Sequence, residues 1–126
     1  MRTKLIITIL LFVSLQTVAQ SVFNYRIREY YTYNQSKNAL IKDVVDKVAT
    51  TLIVDDAKRV IQFKISGVKE IATFDKLIIK GVVKPENGMP FFHYVYKGAN
   101  NDEINFYISK ESARIQSYGT MLKLLE

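Results

Sequence analysis

Apolar and polar residues alternate one by one through long parts of this chain, and that period of two, broken at short intervals by turn-forming residues, leaves few folds open. In "SVFNYRIREYYTY", residues 21 to 33, Phe23, Tyr25, Ile27, Tyr31 and Tyr33 fall on one side, while Asn24, Arg26, Arg28 and Thr32 fall on the other. Glu29 interrupts the apolar side. A bulge near Glu29 and Tyr30 accounts for it more simply than an inward-facing carboxylate. "NQSK" then ends the strand as a turn.

The exception to alternation is "NALIKDVVDKVAT", residues 38 to 50, where Leu40, Val44 and Val48 recur at every fourth position and Asn38 suits a helix cap. A short helix near 38–48 is the favoured reading, with a strand as the alternative because valine suits strands. Beyond it "ATTLIV" and "RVIQFKI" flank the turn "DDAK" as a hairpin, and "IATFDKLIIKGVV" supplies one or two further strands. "KPENG" reads as a turn. "MPFFHYVYK" and "EINFYIS" follow, joined by "GANND", and "SARIQSY", Gly119 and "MLKLLE" make a closing hairpin. The fold class is therefore all-β: a small antiparallel meander of about seven or eight strands, forming a β-barrel or a β-sandwich. Closure into a barrel is favoured because it removes two sheet edges.

Residues 1 to 19 have the layout of a cleaved signal peptide: Arg2 and Lys4, then an apolar stretch, then Thr17 and Ala19 as small residues before a cut. The leader resembles those of bacterial exported proteins. The apolar stretch is shorter than the roughly 18 residues a membrane-spanning helix needs, so no span is expected after cleavage. Without cysteine there is no lipid attachment at the new N-terminus and no disulfide. The expected mature chain, residues 20 to 126, is one β-rich domain of a size that holds itself together by packing. The expected location is the periplasm or the extracellular space.

With Arg2 and Lys4 removed, 16 basic and 12 acidic residues leave a net charge of +4. The basic residues are scattered, with no stripe to follow a phosphate backbone, which argues against nucleic acid as a partner. One histidine and no cysteine argue against a zinc site, and no serine stands in a nucleophile elbow. Neither a metal nor another cofactor is expected. Glu29 is the best candidate for the raised-pKa acid of a small carboxylate-dependent hydrolase, but no second carboxylate accompanies it.

The densest feature is "FFHYVYK", in which Phe91, His93 and Val95 share one face and Phe92, Tyr94 and Tyr96 the other. Either the strand crosses the middle of the domain, or its tyrosine face is a flat contact surface. A non-enzymatic binding module is the leading expectation, one that takes an apolar small molecule or an envelope protein. If a cavity exists, Tyr25, Tyr31, Phe91, His93, Phe106 and Ile108 are its expected lining. The alternative is a structural or inhibitory protein–protein interaction domain with a solid core.

Overall fold

The computed structural model of the protein describes residues 20–84 and 88–126. The expected leader, and the centre of the expected turn at 84–88, lie outside the described residues. Among these residues eleven strands are formed: β1 (Gln20–Tyr25), β2 (Ile27–Asn34), β3 (Ala39–Asp46), β4 (Thr50–Asp55), β5 (Val60–Ile65), β6 (Ala72–Phe74), β7 (Ile78–Val83), β8 (Phe91–Lys97), β9 (Glu103–Ile108), β10 (Ser112–Ser117) and β11 (Thr120–Leu125). Among the described residues the single helical element is a 3-10 turn, Ala99–Asn101.

The strands make two antiparallel sheets, one in the order β1-β4-β5-β6 and one in the order β3-β2-β11-β10-β9-β8-β7. Neither closes on itself, so the architecture is a sandwich-like meander and not the barrel that edge-hiding favoured. The edges are protected in other ways. β6 is three residues long, and the pairings of both β3 and β7 are broken by a register shift.

The expected helix at 38–48 is instead a strand. In its pairing with β2, Lys42 lies opposite Tyr31 and Val44 opposite Tyr30, which leaves Asp43 as an extra residue. A spacing of four is an even number, so the recurrence of Leu40, Val44 and Val48 fits a period of two as well as a helix, and the bulge adds one irregularity to the strand. The register shift expected near Glu29 and Tyr30 occurs between Tyr30 and Tyr31 in the pairing with β3, where the extra residue is on β3, whereas β2 stays in unbroken register with β11 from Ile27 to Thr32. The break in facing comes earlier, at Arg26, whose N–H donates to the Leu125 carbonyl at 2.9 Å.

Arg26 also marks a change of sheet. Residues 20 to 55 form one long ribbon whose base, β1 with β4, belongs to the small sheet, while its tip, β2 with β3, belongs to the large one. The ribbon thereby ties the layers together. Between them Tyr25, Leu52, Val54, Ile61, Leu77, Tyr94, Phe106, Ile108, Ala113 and Leu124 form the buried core. Phe74 packs edge-on against Tyr96 and Phe106, with ring centroids 5.2 and 5.1 Å apart. Burying each large apolar side chain is worth about 1.5–3 kcal/mol, so this layer supplies the main stabilising force.

The interior is filled. The cleft between the sheets at Phe23, Val54, Phe92 and Tyr94 has a volume of about 40 Å³, room for little more than one water. No buried side-chain polar atom among the described residues lacks a hydrogen-bond partner.

Candidate functional site: the uncovered face of the large sheet

The small sheet packs on one face of the large sheet, and no described element covers the other. Cross-strand register decides which side chains stand on that open face. Opposite pairs run His93 to Tyr107, Tyr107 to Arg114, Arg114 to Lys123, Lys123 to Glu29 and Glu29 to Val45. These side chains form one straight row across β8, β9, β10, β11, β2 and β3. At the usual strand spacing it extends for about 24 Å. A second row beside it contains Val95, which is buried, and then Asn105, Gln116, Met121, Tyr31 and Lys42.

The first row is held in a fixed arrangement. The His93 imidazole stacks on the Tyr107 ring, with centroids 4.3 Å apart and planes within 15°. Imidazole Nε2 lies 2.9 Å from Asn105 Oδ1 and donates to it. The Arg114 guanidinium lies over two rings, 5.1 Å from the centroid of Tyr107 and 5.5 Å from that of Phe91. Because neighbouring rings turn their faces to one another, the polar edges of the stack are what remain for a ligand.

Glu29 sits at the far end of the row. The Tyr31 hydroxyl donates to its carboxylate at 3.0 Å, and Lys42 Nζ lies 3.0 Å away. The hydrogen bond from Lys42 holds the carboxyl below its ordinary range, and the Tyr31 bond and the Lys123 charge act in the same direction. A general acid needs the opposite shift. Lys42 is raised in turn by Glu29, and Tyr31 is raised by desolvation and then by the same carboxylate. Among the described residues no three His, Asp or Glu side chains come together to hold a metal ion.

The six residues expected to line one cavity are divided between two environments. Tyr25, Phe106 and Ile108 are fully buried between the sheets. Tyr31, Phe91 and His93 stand on the open face. The division follows from register: His93 pairs with Tyr107, so it cannot share a face with Phe106 and Ile108. In "FFHYVYK" Tyr94 and Tyr96 pack toward the core, so the tyrosine face is not the contact surface of the second expectation, while on the other face His93 is half-buried and Val95 is buried. Tyr107, Arg114 and Lys123 were not singled out by sequence. Their signal is the hairpin register, which puts Arg114 opposite Tyr107 once the turn between β9 and β10 is fixed at Lys110 and Glu111.

At the ribbon tip the open face ends in a shallow depression of about 570 Å³, lined by Tyr33, Leu40, Gln116, Tyr118 and Thr120 among others. No protein-family model, curated protein or solved structure matches this chain.

Proposed function

We propose that the protein is a non-enzymatic, exported binding module that engages its target with the uncovered face of the seven-stranded sheet. The observation that carries this reading is the ordered row His93–Tyr107–Arg114 on a face of the large sheet against which, among the described residues, no further sheet or helix lies. Cation–π and stacking contacts hold these groups in place before any ligand arrives, which lowers the entropy lost on binding. The cavity version of a binding module has less support. Pockets for small organic ligands measure about 300–1,000 Å³, against about 40 Å³ between these sheets.

A photo-crosslinking residue at Tyr107, compared with one at Thr73 on the opposite sheet, tests the surface in cells that export the protein. A defined adduct at position 107 that is missing at 73 is the expected result. Equal adducts at both positions would remove the reading, as would a small apolar molecule retained in the native mass spectrum. A denatured mass corresponding to residues 20–126 checks export and cleavage in the same sample.

A further inference from the structure

We infer that the open face carries an oxyanion site at Arg114 and Lys123, and that its ligand is the carboxylate of an acidic polysaccharide, one built from uronic acids. The inference rests on the proposed function, since it names what the uncovered face binds.

Three features of the row support it. Arg114 and Lys123 are directly opposite in the β10–β11 register. Like charges at that position repel and cost stability. The only carboxylate in the row, Glu29, is bonded to Lys42 and Tyr31 on the far side of Lys123. Arg114 has no carboxylate partner among the described residues. An anion between the two cations offsets their repulsion.

The second feature is the geometry of the guanidinium. Its central carbon lies 5.5 Å from the Phe91 ring centroid and 5.1 Å from that of Tyr107, so the two rings restrict where the group can sit. A planar fork of donors matches a carboxylate through two parallel hydrogen bonds, which an ammonium cannot reproduce.

The third is the polar character of the neighbouring groups. Asn105 and Gln116 are opposite one another in the adjacent row, and the Tyr107 hydroxyl lies in the same row as Arg114. Amides and phenols at this density suit the hydroxyl groups of sugars. An acidic peptide would instead need pockets for alternate side chains. A phosphate polymer would need a longer cationic track than two residues provide.

The test is a titration followed by NMR, using polygalacturonate, dextran, dextran sulfate and poly-L-glutamate at matched ionic strength. Polygalacturonate should shift the amides of Tyr107, Arg114, Gln116 and Lys123, and neutral dextran should not. Arg114→Lys keeps the charge but loses the fork, and should weaken binding by about tenfold. Its thermal midpoint should stay near that of the wild type, which separates a binding defect from a folding defect. Undiminished affinity in Arg114→Lys would overturn the inference. So would equal affinity of the wild type for dextran sulfate or poly-L-glutamate, since charge alone would then suffice. If polygalacturonate does not bind while the adduct at position 107 persists, the ligand class is wrong and the surface reading stands. Shifts confined to β4, β5 and β6 would overturn both.

Discussion

The Tyr25 hydroxyl, at the end of the first strand of the small sheet, donates a 2.6 Å hydrogen bond to the Ser109 carbonyl of the large sheet, 84 residues further along the chain. Ser109 closes the turn between β9 and β10. Its N–H and its hydroxyl both donate to the Ser112 carbonyl, at 2.8 and 2.9 Å. Tyr25 therefore fastens the point where the ribbon changes sheet to the turn that sets the register of Arg114. Tyr25→Phe keeps the ring and removes the bond, leaving a buried carbonyl without that donor. A loss of about 1–3 kcal/mol is expected by chemical denaturation. A variant within about 0.5 kcal/mol of wild type would show that water replaces the hydroxyl.

Burial also pushes the pKa of Tyr25 above its ordinary value, and that of Tyr94, whose hydroxyl donates to Asp56 at 2.7 Å. In the unfolded chain both phenols lose their protons near the ordinary value of about 10, whereas in the folded chain they retain them. The unfolded state then binds fewer protons, so stability should fall as pH rises above about 10. Of the eight tyrosines, Tyr25 and Tyr94 should ionise only as the protein unfolds. Phenolate absorbance and circular dichroism recorded together check this. If the phenolate signal is complete before structure is lost, the two hydroxyls are not protected by the core.

How far the fold could be read from sequence depends on what each signal encodes. Alternation identified the strands around Leu52, Ile61, Tyr94 and Phe106, because a side chain's facing along one strand is a local property. It was ambiguous at 38–48, where apolar residues four apart fit a helix and a strand alike and Asp43 adds one residue to the strand that forms. Facing between strands depends on connection length. With Lys97 opposite Glu103, the five residues Gly98–Asp102 pair odd-numbered positions with odd, which puts His93 beside Tyr107 and away from Phe106. The open face itself was not legible. It exists because the ribbon bends at Arg26 and delivers β1 and β4 to one side of the large sheet, and no local pattern records on which side a distant sheet packs.

At the other end of the pH range, two carboxylates give up stability. Arg28 grips Asp46 through Nε and Nη2, each at 2.8 Å, joining β2 to β3. That hydrogen bonding holds the Asp46 carboxyl below its ordinary value, as Lys42 does for Glu29. Both groups have depressed folded-state pKa values, so their contribution is complete above about pH 5 and is lost as pH falls through and below about 4. Asp46→Asn should lower the thermal midpoint at neutral pH and reduce its further drop between about pH 6 and about pH 3. An unchanged drop in the variant would assign the acid sensitivity to other carboxylates.

The same substitution should have opposite effects at two glycines. Gly81 sits at the register shift between β7 and β8 with φ of +107°, and a Cβ there would meet no atom within 4 Å. Any cost of Gly81→Ala is thus conformational and not steric, about 1–2 kcal/mol for holding an L-residue at positive φ. Gly98, ahead of the 3-10 turn, has φ of −82°. A Cβ at Gly98 would lie 3.5 Å from Tyr96 Cε1, an ordinary van der Waals contact. Gly98→Ala meets no strain and restricts the unfolded chain, so it should be neutral or stabilise by up to about 1 kcal/mol. Urea denaturation of both variants measures the contrast. No loss in Gly81→Ala would mean that the Gly81 bulge relaxes to negative φ when a side chain is present. The edge strand would then lose the kink that protects it from pairing with another chain, and self-association of Gly81→Ala at high concentration should accompany the result.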